Sequence, residues 1–110
     1  MGIEKFLIVS VIIEVQLLFQ HLAQSPCRFQ RNGDWHDARN ATAHLRRKYD
    51  YLRKRDLADT AELFIERAAS KSSISGRAYQ VRCPGQPAQP AAIWFREKLA
   101  ALRGSGAPVR

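Results

Sequence analysis

At 110 residues the chain is the size of one ordinary domain, with room for a modest core and one site. Hydrophobic residues make up 45 % and charged residues 25 %, values that exclude a disordered chain. A net charge of +8, from 18 Lys and Arg against 10 Asp and Glu, favours acidic partners, without choosing among nucleic acid, anionic lipid and acidic protein.

The stretch from Phe6 to Ile13 is apolar except for Ser10 and follows Lys5, the outline of a signal-peptide core. Glu14 and Gln16 follow at once, and no small-x-small cleavage site precedes Ala23. The stretch is also shorter than the roughly 20 residues of a membrane-spanning helix, so an integral membrane protein is not expected. From Ile13 onward Ile13, Leu17, Leu18 and Leu22 recur at helical spacing. The pattern predicts a helix over 12–24. Residues 1–11 are either the remnant of an export signal or an apolar extension of that helix.

Ser25-Pro26 ends this helix, because proline disfavours helical geometry in the residue before it. Cys27 to Arg31 alternates, with Cys27 and Phe29 on one face, and reads as a short half-buried strand. Asn32-Gly33-Asp34 is a turn. Asp37 is positioned to cap the next helix, whose apolar face is Ala38, Ala41, Leu45, Tyr49 and Leu52. That helix frays into the basic segment Arg53–Arg55. A third helix carries Ala61, Phe64, Ile65 and Ala68, capped by Asp59 in capping-box spacing with Glu62, with Thr60 as the rival cap.

The serine run Ser70, Ser72, Ser73 and Ser75 stops the third helix, since serine competes with the backbone for hydrogen bonds. Gly76 closes the run and is expected at positive φ, or where a side chain would clash. Ala78 to Cys83 is the second strand, with Tyr79, Val81 and Cys83 on one face. Gln86 to Pro90 is a connection, and Pro90 or Ala91 opens a last helix carrying Trp94, Phe95, Leu99 and Leu102. The expected architecture is a single α+β domain over 12–103 with a flexible tail at 104–110. Its element order is αβααβα, a two-stranded antiparallel sheet packed against helices.

Cys27 and Cys83 have neither the CxxC spacing of redox motifs nor the company of a zinc cluster. Antiparallel pairing of the two strands sets Cys27 opposite Cys83, Phe29 opposite Val81 and Arg31 opposite Tyr79. Opposed residues lie about 4.5–5.5 Å apart, within the reach of a disulfide. Two buried free thiols are the alternative.

Arg31-Asn32-Gly33-Asp34, His36, His44-Leu45-Arg46 with Lys48, Thr60-Ala61-Glu62 with Phe64-Ile65, and Ser72-Ser73-Ile74-Ser75-Gly76 with Tyr79 and Val81 form an ordered series. This series, spread over about 13–100, resembles the YfeK-like family of small bacterial proteins built around a domain of unknown function. The resemblance implies an exported protein, periplasmic or secreted, and implies no established reaction, cofactor or partner.

His44 and Lys48 are four apart on one helix and share a face. Arg31 and Asn32 leave the first strand near that helix, and the serine loop must pack on the same small core. Arg31, Asn32, His44, Lys48, Ser73 and Tyr79 are therefore the candidate binding pocket, cationic and suited to a carboxylate or phosphate. The competing reading has His44 packed at the helix boundary, hydrogen-bonded to the serine loop. No catalytic residues are assigned. Ser72, Ser73 and Ser75 lie in neither Ser-x-x-Lys nor Gly-x-Ser-x-Gly, and nothing in the sequence orients a histidine base. Asp34, His36 and Asp37 match no strong metal motif, and no metal or other cofactor is expected. Asn40-Ala41-Thr42 has glycosylation spacing but falls inside a helix. The basic run Arg46–Arg55 carries Tyr49 and Tyr51 but no nucleic-acid-binding motif. The expected function is a non-catalytic periplasmic binding or interaction module, with an anionic small molecule or an envelope protein as candidate partner. An intracellular protein contacting nucleic acid and a small serine-loop hydrolase are the alternatives.

Overall fold

Four helices and four short strands follow one another in the computed structural model, which describes residues 3–104 and their side chains from residue 10 onward. Of the expected tail at 104–110, Gly104 belongs to the last helix, and 105–110, like the side chains of the proposed export remnant before residue 10, lie outside the described residues. The elements are α1 (Ile3–Gln24), β1 (Arg28–Arg31), β2 (Asp34–Asp37), α2 (Ala38–Arg53), α3 (Ala61–Ala68), β3 (Gln80–Arg82), β4 (Gln89–Pro90) and α4 (Ala91–Gly104). The order is αββααββα, and the sheet is four-stranded and antiparallel in the order β2-β1-β3-β4. The α+β class stands, but the expected two-stranded sheet and αβααβα order are both corrected.

The first missing strand, β2, exists because of the turn before it. Asn32 and Gly33 both take left-handed backbone, φ 53° and 87°, the pattern of a two-residue hairpin turn whose twist matches paired strands. Arg31 thereby pairs with Asp34 and Phe29 with His36. β2 lacks an apolar alternation of its own and lies at a sheet edge. Its Trp35 ring lies under the Arg82 guanidinium at 4.4 Å. The second missing strand, β4, is two residues long. It too is an edge, where a proline without an N–H is tolerated.

The central pair follows the expected register. Phe29 faces Val81, Arg28 faces Arg82 and Gln30 faces Gln80. One step beyond β1 and β3 the same register brings Cys27 to Cys83, and the two form a disulfide with Cα atoms 4.1 Å apart. Phe29, Tyr79 and Val81 are buried on the helix-facing side of the sheet.

In α1 the buried stripe is Val15, Leu18, Phe19 and Leu22, at i, i+3, i+4 and i+7. Ile13 and Leu17, expected inside, are 53 % and 36 % exposed. This helix is apolar on more than one face, so spacing alone selects the wrong stripe. No helix among the described residues is long and apolar enough to cross a membrane. Glu14, though charged, is buried, because Arg103 of α4 donates to both its carboxylate oxygens at 2.8 and 3.0 Å. The same guanidinium holds Glu62 of α3, and the charged bond holds the Glu62 carboxyl below its ordinary range. One arginine thus ties three helices together.

α2 begins at Asp37, whose carboxylate accepts the Asn40 N–H at 2.8 Å. Ala38, Ala41, Leu45 and Tyr49 are buried as their spacing requires, and Leu52 is half-buried. The α3 cap is Thr60, whose hydroxyl accepts the Leu63 N–H at 3.0 Å. The cap is thus the rival, Thr60, and Glu62 serves Arg103 instead of closing a box on Asp59. The aromatic rings of Phe19, Tyr49, Phe64 and Phe95 meet edge to face at the centre of the core.

Candidate functional site

The serine loop is built by its own hydroxyls. Ser70 Oγ donates to the Ile65 carbonyl and closes the end of α3. Ser72 is buried, and its Oγ accepts the N–H groups of Ile74 and Ser75 at 3.2 and 3.3 Å. Its carbonyl accepts the Gly76 N–H at 2.9 Å, and Gly76 turns the chain at φ 75°. Ser75 Oγ donates to Asn32 Oδ1 at 2.6 Å and so ties the loop to the β1–β2 turn. The result is a fixed wall opposite α2.

Between that wall and α2 lies a cavity of about 140 Å³. Arg31, Asn32, His44, Lys48, Ser73 and Tyr79 all line it, joined by Ser72 and Ile74. Arg31 arrives from the end of β1, Asn32 from the hairpin turn, His44 and Lys48 from one face of α2, and Tyr79 from the approach to β3. Ser72 and Ile74 were not expected in the lining. The signal for Ile74 is an isolated apolar residue inside a serine run.

Tyr79 organises the polar groups. Lys48 Nζ donates to the Tyr79 hydroxyl at 3.1 Å and to the Lys71 carbonyl at 3.2 Å. The same ammonium lies 5.0 Å from the centre of the Tyr79 ring. His44 Nε2 is 3.3 Å from the Tyr79 hydroxyl. An ammonium can only donate, so the hydroxyl accepts from Lys48 and has its proton free for His44 Nε2. That arrangement requires a neutral imidazole with its proton on Nδ1. His44 is indeed pushed down to about 4, first by burial and then by the charges of Arg31, Lys48, Arg47 and His36. Burial, and then Arg31, also lower Lys48. Burial raises the Tyr79 phenol above its ordinary value, against a smaller opposing pull from Arg31. Burial leads all three shifts, and the neighbouring cations add to it at His44 and Lys48. None of the residues lining the cavity is acidic.

The arrangement gives catalysis little to build on. Ser73 is exposed, with no hydrogen bond to His44, and no carboxylate orients His44 among the described residues. A serine nucleophile needs both contacts. No group of three metal-ligating side chains occurs among the described residues, and Asp37 of the Asp34–His36–Asp37 set is engaged as a helix cap. The basic run is divided among separate tasks. Arg46 bonds Gln16 at 2.8 Å, Arg55 stacks on Tyr51 at 3.7 Å, and Tyr49 is buried and unable to stack on a base.

A larger groove of about 610 Å³ lies at the other end of the sheet, beside the disulfide. It is lined by both signs of charge, Glu97 and Lys98 among them. Lys98 already lies over the Trp94 ring at 5.3 Å. Its greater size brings no convergence of like groups, and the smaller cavity is the better candidate.

Fold and site together define a small α+β protein whose disulfide-linked sheet and serine loop frame a cationic cleft. The chain belongs to a family of unknown function, DUF5329, whose model matches residues 10–103. It is also similar to the uncharacterized protein YfeK of Salmonella typhimurium, with 51 % identity over 51 residues. That match covers 46 % of this chain and 41 % of the relative, so it spans less than half of either. No solved structure matches.

Proposed function

We propose that this protein is a non-catalytic binding module of the bacterial envelope that holds a small carboxylate or phosphate in the cleft between α2 and the serine loop. The observation that carries this reading is the convergence of Arg31, His44 and Lys48 on one cavity that no acidic residue lines. Holding the Arg31 and Lys48 charges half-buried without a counter-charge is costly, and a bound anion would offset that cost. Tyr79 and Asn32 add neutral polar groups that fix orientation. The disulfide supports an oxidising compartment, since bridges between strands persist where thiols are not kept reduced. Export to the periplasm is part of the same proposal.

The test is a titration of His44 by NMR with and without inorganic phosphate or acetate. A bound anion stabilises the imidazolium, so the His44 pKa should rise from about 4 by roughly one unit or more. Lys48→Met and Arg31→Ala should each weaken binding at least several-fold. An unmoved His44 at saturating phosphate and acetate, with no shift at Lys48 or Tyr79, refutes the proposal.

A further inference from the structure

The anion cavity does not stand alone. A second cavity of about 410 Å³ shares His44, Lys48 and Ser73 with it, so the two are neighbours along α2. The new walls are Arg47, Tyr51, Leu52 and Arg67, and this stretch is mostly apolar. The Arg67 guanidinium is turned to the Leu57 carbonyl at 2.8 Å. Leu52, at the end of the buried stripe of α2, is half-buried rather than covered. Tyr51 and Ile74, 57 % and 95 % exposed, are the two most exposed large apolar side chains among the described residues. Both border this cleft, Tyr51 at the apolar end and Ile74 at the anion end. Single exposed apolar residues are ordinary, but two placed beside one cation cluster are not a random scatter.

We propose that the ligand is an amphiphilic monocarboxylate: its carboxylate sits among Arg31, Lys48 and Tyr79, and its apolar tail runs past His44 over Leu52 and Tyr51. This rests on the anion-binding reading above and names the class of its ligand. The occupant follows from continuity and charge. A molecule with one anionic head and an apolar body suits both ends, because Arg31 and Lys48 line the first cavity while Tyr51 and Leu52 line the second, where Arg67 is turned to the Leu57 carbonyl. A free phosphate fills the first cavity and leaves the second open to water.

The experiment measures binding of acetate, butanoate, hexanoate and octanoate to the full chain, below micelle-forming concentrations, with octanol as the neutral control. A fully buried methylene strengthens binding roughly fourfold, and a half-open groove about twofold. Octanoate should therefore bind about 50- to 100-fold more tightly than acetate, with NMR shifts spreading to Arg47, Tyr51 and Leu52. Tyr51→Ser, at an exposed position that leaves the core intact, should weaken octanoate several-fold and leave acetate unchanged. Equal binding of acetate and octanoate overturns the inference while the anion site stands. Octanol binding as well as octanoate overturns it too, because the head would then go unread. Binding of none of the carboxylates or phosphate removes the anion site itself.

Discussion

Reduction of the Cys27–Cys83 disulfide is the sharpest perturbation available, because it removes one covalent bond and leaves every side chain in place. The two cysteines are separated by 56 positions in sequence. Closing a loop of that length in the unfolded chain removes about 14 cal/mol/K of entropy, or about 4 kcal/mol at 25 °C in the chain-entropy model. In a domain whose whole stability is about 5–15 kcal/mol, that is a quarter to most of the total. Three backbone pairs beside the bridge, Arg28 with Arg82, Phe29 with Val81 and Gln30 with Gln80, remain to hold the register when the bond is cut. Urea denaturation of the oxidised protein and of the same protein in dithiothreitol measures the difference. At about 1.5 kcal/mol per molar urea, the reduced midpoint should fall by about 2–3 M. Two curves that differ by less than about 1 kcal/mol would refute the reasoning, and would mean that the unfolded chain is already held compact near these positions.

Two further outcomes follow from the loop and the cleft. Gly76 sits at φ 75° with open space where a side chain would point, so Gly76→Ala should cost about 1 kcal/mol through the backbone alone, measured as a lowered urea midpoint. His44 is neutral in the folded protein down to about pH 4 and titrates near its ordinary 6.5 when unfolded. Between those values the unfolded state binds more protons, so stability is full above about pH 6.5 and is lost as pH falls toward 4. The shift corresponds to about 3 kcal/mol at the limit, which solvent at this partly exposed site reduces to about 1–2 kcal/mol. His44→Gln should lose that much less stability over the same window, which separates it from the carboxylates titrating there. A parallel loss in both proteins would show that His44 is not held neutral.

The parts of the fold legible in the sequence are those where a single face carries the pattern. α2 alternates Ala38, Ala41, Leu45 and Tyr49 against a strongly charged opposite side, and it is capped where Asp37 allows. Matching Cys27 to Cys83 sets the register of the central strands, because a two-residue period leaves one alignment that buries Phe29 and Val81 together. The convergence of Arg31, His44 and Lys48 was open to the same reasoning, since a core this small leaves few places for the serine loop to pack. What escapes notice is structure without a hydrophobic signature. Asp34–Asp37 buries no apolar row, and its strand is imposed by Asn32-Gly33 and by the neighbour it pairs with. Gln89–Pro90 is too short to have a period. α1 fails in the opposite sense. It is apolar on too many faces, and only the buried pair of Glu14 with Arg103 shows which side turns inward. The apolar half of the cleft is invisible for a related reason: Tyr51, Leu52 and Ile74 belong to different elements, and no spacing rule brings them together.

The position of β1 in the sheet has a consequence for how the chain comes to be folded. β1 is an inner strand, flanked by a local partner, β2, and a distant one, β3. As the polypeptide emerges, its hairpin and α2 can form early, but Phe29 stays uncovered until β3 arrives. Arg103 meets Glu14 across 89 positions, so Glu14 waits for the end of α4 before its charge is matched. No amino-terminal portion of this sequence can therefore become a finished unit while the remainder is still missing. The centre of the sheet and the Glu14–Arg103 pair both close only with the carboxyl-terminal half of the chain in place.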